Sequence, residues 1–271
     1  MIGRDIRLSR LLPQGENAVV VAVDHGEFFG TTPGLSDLPK VVESLQEADG
    51  ILMSPGMVEH CMATFTRKNR PVLVVRLNWS SSYAFQWNYN DACPATVLPP
   101  EEALALGVDL GLASCILKTG DERTDRDNLQ VFADIVKAKR HCGLPVVGEY
   151  YPVHRESLSD AQLHDQVAVA CRVMCEVGAD AVKTFYTGKR FREIVASVPI
   201  PVLVLGADKL ETETDALQLA YDAVNDGARG VFFGRNVFQA KDPARFLQAL
   251  KRVVKQGVTP STAARESGLE S

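Results

Sequence analysis

Residues 159–188 read SDAQLHDQVAVACRVMCEVGADAVKTFYTG, a helix running directly into a strand. Ser159 and Asp160 are candidate N-caps, and Gly178 supplies the stop, since glycine tolerates the left-handed conformation that ends a helix. Cys171 and Cys175, four residues apart, fall on one face of that helix. The following GADAVKTFYTG (178–188) has the composition of a buried strand, yet Lys183 stands in its middle. Lysine is among the residues least often fully buried.

The same unit recurs along the chain. Short apolar runs appear as NAVVVAVDHG (17–26), ADGILMSPG (48–56), RPVLVVRLNWS (70–80) and DLGLASCILKTG (109–120) in the first half. LPVVGEYYPV (144–153), ADAVKTFYTG (179–188), IPVLVLGAD (200–208) and ARGVFFGRNVF (228–238) follow. Helix-like stretches such as DNLQVFADIVKAKRHCG (127–143) lie between them. Continuous Val/Ile/Leu runs separated by helices are what a parallel sheet buried on both faces requires. Eight of them in 271 residues predict a (β/α)₈ TIM barrel of the α/β class. The rival, an open doubly wound sheet, lacks its G-x-G-x-x-G after the first strand. EADG (47–50), VGAD (177–180) and DGAR (226–229) punctuate three helix-to-strand turns. No Pro/Gly/Ser-rich linker divides the chain, so residues 1–271 are expected to form a single domain, with an irregular insertion around 79–100 after the third strand.

The hydrophobic content of 46% supports a full core, and the net charge of −5 argues against a nucleic-acid surface. The charged N-terminus MIGRDIRLSR lacks the apolar core of a signal peptide, and no apolar run approaches the roughly 18 residues that span a membrane. The six cysteines form no C-x-x-C pair and read as small buried thiols of a reducing, cytoplasmic compartment. The five histidines show no metal-binding spacing, so no metal is expected.

Polar residues collect where the apolar runs end, the catalytic face of such a barrel. They are Asp24, His25, Lys118, Glu149, Tyr151, Lys183, Asp208 and Arg235. Lys183 has two readings: a lysine that pairs with a carboxylate or snorkels out of the barrel mouth, or a nucleophile that forms a Schiff base with a ketone. The second needs a neutral amine, whereas free lysine titrates at about 10.4. A dry strand and a neighbouring cation, for which Lys118 is the candidate, both favour the neutral form. Glu149 and Tyr151 share one face of strand five and are candidate proton carriers. Glu149, buried in PVVGEYYP, needs a cation, and Lys183 or Lys118 would serve. Asp24 either holds a substrate hydroxyl or caps the next turn. LGAD and FGRN end the last two strands, where amides of Gly206, Ala207 and Gly234, with Arg235, form a candidate phosphate cradle.

With these residues assembled, the chain resembles the archaeal-type class I fructose-bisphosphate aldolase family. The likeness rests on VAVDHG (21–26), EYYP (149–152), GADAVKTFYTG (178–188) and FGRNVFQ (233–239), in family order over nearly the whole chain. The resemblance implies that Lys183 forms the Schiff base, Tyr151 is the acid/base tyrosine, Asp24 is the first-strand aspartate, and Gly206, Gly234 and Arg235 hold a phosphate. It also implies no organic cofactor and a homo-oligomer, in some members a large ring. Two positions depart from the pattern. Gly206-Ala207 stands where those enzymes have a glycine pair, and Glu149 where they have an aromatic. Val153, His154 and Arg155 surround the position of a family arginine. The expected activity is a lyase that makes or breaks a carbon–carbon bond beside the ketone of a phosphorylated sugar-like substrate. Similar barrels include a coenzyme A-dependent thiolase of a phosphorylated diketone and transaldol-type amino-ketoheptonate synthases. A non-catalytic phosphosugar-binding barrel is the reading from another class.

Overall fold

A computed structural model describes residues 2–84, 87, 89 and 91–269. Among them, eight parallel strands form a closed barrel: β1 (Ala18–Ala22), β2 (Gly50–Met53), β3 (Val72–Arg76), β4 (Leu110–Ser114), β5 (Val146–Glu149), β6 (Ala181–Thr184), β7 (Val202–Leu205) and β8 (Gly230–Phe233). Each pairs with its neighbours in sequence, and β8 pairs with β1 through Ala18↔Gly230 and Val21↔Phe233. All eight apolar runs are barrel strands. Of the 79–100 segment, the described residues hold a short antiparallel hairpin, Asn78–Ser80 against Pro94–Thr96, and a turn of 3₁₀ helix at Ser81–Tyr83. Residues 85, 86, 88 and 90 lie outside the description.

Strand parity divides the core in two. Val20, Ala22, Leu52, Val74, Leu112, Val147, Ala181, Leu203 and Phe232 fill the barrel, and Leu11 and Leu12 of the N-terminal helix region (Ile2–Leu11) join the same cluster. Residues of the other parity, among them Val19, Val21, Val75, Val146 and Val182, pack outward with buried helix residues such as Phe132, Met174 and Leu250. Every strand is therefore buried on both faces, which is why the runs are continuous rather than alternating.

The helix of the opening stretch spans Asp160–Val177 with Ser159 as its N-cap, in a capping box with Gln162. Gly178 closes it at φ 118°, a conformation that would strain any side chain. The preceding long helix starts earlier than its apolar pattern, at Glu122, because the Asp121 carboxylate accepts from the Thr124 N–H. The recurring turn aspartates have a structural task. Asp49, Asp109 and Asp180 each accept a backbone N–H of a barrel strand or its leading residue, from Val19, Leu73 and Val146 respectively. Asp180 is paired with the buried Lys139 and Asp109 with Arg70. These bonds tie the N-terminal ends of the strands together. Gly50 of EADG begins β2 rather than adopting a left-handed turn. The thiols are less uniform than expected: Cys61, Cys115 and Cys171 are buried, Cys142 and Cys175 are half-buried, and Cys93 is exposed.

Candidate active site

Continuing the inward parity past the apolar layers brings charged side chains to the C-terminal end of the barrel. After Val20 and Ala22 comes Asp24; after Val72 and Val74, Arg76; after Leu110 and Leu112, Ser114; after Val147, Glu149; after Ala181, Lys183. Parallel register sets Ser114 beside Glu149 and Glu149 beside Lys183. The result is one connected network. The Arg76 guanidinium donates through Nε to Asp24 Oδ2 (2.7 Å), through Nη1 to Ser114 Oγ (2.8 Å) and through Nη2 to Glu149 Oε2 (2.8 Å). Ser114 Oγ also donates to Glu149 Oε2 (2.9 Å), and Lys183 Nζ lies 2.5 Å from Glu149 Oε1. Asn78 brackets the Ser114 backbone from both sides, donating to its carbonyl and accepting from its N–H.

These groups are dry: Asp24, Arg76, Ser114, Glu149 and Lys183 are all at most 6% exposed. Buried charges persist only where they are paired and hydrogen-bonded, and here each is. Burial alone would raise the carboxyl pKa of Glu149, but Arg76 and Lys183 overcome it and hold the group well below the usual carboxylate range. Burial likewise opposes the charge of Arg76, yet Glu149 and Asp24 keep its pKa well above the ordinary arginine value. The guanidinium also lies against the rings of Phe28 (4.9 Å) and Tyr83 (5.3 Å).

The network lines a cavity open to solvent, whose wall also includes His25, Tyr151, Gly206, Ala207, Gly234 and Arg235. Nine of the eleven residues named at the strand ends thus meet at one place. Asp208 stands just outside, on the adjoining surface depression. Lys118 does not join them. It is exposed at φ 63°, its N–H bonded to Asp125, on a loop that has left the strand, and it is not part of the cavity wall. The second cation beside Glu149 is Arg76 instead. Arg76 was legible in principle, because it ends VLVV with the same parity by which Asp24 ends its run.

Tyr151 packs edge-on against Phe185 (4.7 Å) and Tyr83 (5.7 Å), and burial, reinforced by Asp208, pushes its phenol up to about 12. The His25 ring lies edge-on to Phe238 at 5.0 Å, and burial lowers its pKa to about 4, so it is neutral near pH 7. Gly234 is required by this ring: a Cβ there would stand 2.4 Å from His25 Cε1 and 2.9 Å from the Ala22 carbonyl. Asn236, fully buried, donates to the carbonyls of Gly206 (2.9 Å) and Asp208 (3.1 Å) and accepts from Leu210 N (2.8 Å). It clamps the loop after β7 to the end of β8. Among the described residues no group of three or more His, Cys, Asp or Glu side chains could hold a metal ion, and no helix is long and apolar enough to cross a membrane.

A family model described as DeoC/LacD family aldolase matches residues 18–240, from the first residue of β1 to just past β8. This chain belongs to the DeoC/LacD aldolase family. It is 29% identical over 261 residues to an uncharacterized aldolase of Saccharolobus solfataricus, covering 94% of this chain and 96% of the relative. It is 30% identical over 263 residues to a 3-hydroxy-5-phosphonooxypentane-2,4-dione thiolase of an Enterobacter species, covering 96% and 84%. Among solved structures, a Schiff base-forming fructose-1,6-bisphosphate aldolase superposes with a TM-score of 0.80 at 25% identity, covering 93% of this chain and 99% of that one. An archaeal fructose 1,6-bisphosphate aldolase gives 0.79 at 25% identity, covering 93% and 98%. The DeoC/LacD family chain thus shares its barrel with Schiff-base aldolases, while its curated relatives carry both aldolase and thiolase names.

Proposed function

We propose that this DeoC/LacD family member is a Schiff-base carbon–carbon lyase acting on a small keto compound with a hydroxyl β to the carbonyl. The observation that carries the reading is that the buried amine of Lys183 opens onto the same cavity wall as Tyr151, Asp24 and its counter-ion Glu149, 2.5 Å away. In its amine form Lys183 attacks the ketone carbon, and the carbonyl oxygen takes a proton to give a carbinolamine. Tyr151 is the acid for the next step. Its phenol, with a pKa of about 12, keeps its proton at neutral pH and delivers it to the departing hydroxyl, which leaves as water. The resulting iminium accepts the electron pair of the breaking carbon–carbon bond and becomes an enamine. The β-hydroxyl passes its proton to the Tyr151 phenolate as its carbon becomes an aldehyde.

Glu149 serves as counter-ion rather than proton carrier. Its two cations keep it ionised, so it stabilises the positive nitrogen of the iminium. Asp24, fixed by Arg76, offers a carboxylate to substrate hydroxyls. Arg235 and the backbone at Gly206 and Gly234 hold the far end of the substrate.

Borohydride reduction in the presence of dihydroxyacetone or its phosphate, followed by peptide mass spectrometry, tests this directly. The adduct is expected on Lys183 and absent from Lys183→Met, which also loses turnover. Turnover surviving in that variant at near wild-type rate would overturn the reading. The thiolase relatives support a second reading, in which the coenzyme A thiolate attacks a second carbonyl β to the imine carbon. The bond from that carbonyl to the intervening carbon then breaks, and the iminium takes the electron pair as acyl-coenzyme A departs. Product formation that requires added coenzyme A would select it.

A further inference from the structure

The sequence points to a phosphate at Gly206, Gly234 and Arg235, but the side chains around Arg235 fit a different occupant. Asp208 Oδ1 lies 2.6 Å from Arg235 Nη1. Resting on the keto-substrate reading of the same cavity, we propose that Asp208 is the specificity-determining residue at its β7–β8 side. Its carboxylate neutralises Arg235, so the substrate terminus bound there is an uncharged, hydroxyl-bearing carbon rather than a phosphoester.

Three observations carry this. The loop bearing Asp208 is fixed to the element bearing Arg235. Asn236, next to Arg235 in the chain, holds the carbonyls of Gly206 and Asp208 and the N–H of Leu210. Between them Ala207 sits at φ 51°, an uncommon conformation for a residue with a Cβ, sustained only where the surroundings impose it. The backbone that carries the carboxylate is thereby tied to the element that carries Arg235.

Charge is balanced in the cavity as well. The wall carries three cations, Arg76, Lys183 and Arg235. Asp24 and Glu149 answer the first two, and Asp208 answers the third. His25 contributes no charge near neutrality. Neither Asp208 nor Lys209 lines the cavity wall itself: Asp208 reaches Arg235 from the adjoining surface depression, which Tyr151 and Arg155 also line. A phosphoester dianion at Arg235 would face Asp208 as a like charge, with each cation of the cavity wall already paired to a carboxylate.

The hydrogen-bonding chemistry agrees. Among the described residues Arg235 Nε is buried without a partner, leaving one donor directed at no protein acceptor. Asp208, 77% exposed in its side chain, retains acceptor capacity beside it. A hydroxyl both accepts and donates and satisfies both groups at once, whereas the oxygens of a phosphoester dianion only accept.

The test is calorimetric titration of the full-length protein and of Asp208→Asn and Asp208→Ala with inorganic phosphate. Because Asp208 is exposed, the folded state tolerates both changes. Wild type is expected to bind phosphate at least about tenfold more weakly than either variant, a difference of about 1.4 kcal/mol. Equal phosphate affinity in all three proteins would overturn the assignment. Borohydride trapping gives a second arm: wild type favours dihydroxyacetone over dihydroxyacetone phosphate, and the variants shift toward the phosphate. A wild type that traps the phosphate better refutes the proposal. Absence of any adduct counts against the Schiff-base reading alone, since the phosphate titration needs no imine and still decides the role of Asp208.

Discussion

Replacing Arg76 by methionine removes the centre of the buried network. The guanidinium is 2% exposed and makes two charge-assisted bonds, 2.7 Å to Asp24 and 2.8 Å to Glu149, besides the bond to Ser114. Bonds to charged groups contribute about 1.5–3 kcal/mol each, so the two together amount to about 3–6 kcal/mol. Removing one partner of a buried ion pair costs about 3–5 kcal/mol by a separate route, because the stranded charge stays buried. We therefore expect Arg76→Met to lose about 3–5 kcal/mol in urea unfolding at pH 7, with melting about 6–20 °C lower. The pH dependence identifies the cause. Glu149 has a folded-state pKa depressed below its unfolded value, so its stabilising effect is present above the unfolded value and is lost as pH falls through the folded one. The gap between wild type and variant should thus narrow below about pH 4, where the unfolded carboxylates protonate. Arg76→Lys should not restore stability, because one ammonium cannot reproduce a planar fork bridging two carboxylates and a hydroxyl. A loss under about 1 kcal/mol, or one unchanged between pH 8 and pH 3, would refute this account of the network.

Tyr151→Phe should lower turnover by about 10²–10⁴ with a small change in KM, measured by aldehyde release. In wild type no alkaline limb belonging to Tyr151 should appear before pH 10, since its phenol titrates at about 12. Glu27 gives the opposite pH behaviour to Glu149, because burial raises its pKa from the ordinary carboxyl value to about 7. Its stabilising effect is complete below the unfolded value and is lost as pH rises through 7. Glu27→Gln should therefore match wild type near pH 4 and exceed it by about 1–3 kcal/mol at pH 8, read from urea titrations at both. Gly234→Ala would drive a methyl into His25 and the Ala22 carbonyl, at a cost of about 1–3 kcal/mol with a displaced His25 ring. Calorimetry and the His25 NMR signals report both effects, and an unperturbed ring would contradict the close approach.

The sequence alone determined the barrel. Eight continuous apolar runs, each buried on both faces, have few other ways to satisfy parallel strands, and all eight are barrel strands. It also located Asp24, Glu149 and Lys183 at the strand ends, because a charge that closes an apolar run is visible without coordinates. Tertiary structure decided the partners. Lys118 and Arg76 look alike in the chain, each a cation after an apolar stretch, but parity carries Arg76 into the barrel, while three further residues after Ser114 take Lys118 out of it. Asp208 and Arg235, 27 positions apart, meet only because β7 and β8 are neighbours and Asn236 holds the loop between them. Periodicity records which way a side chain points along its own strand. Which charge lies across the cavity depends on barrel closure, and a single strand carries no record of that.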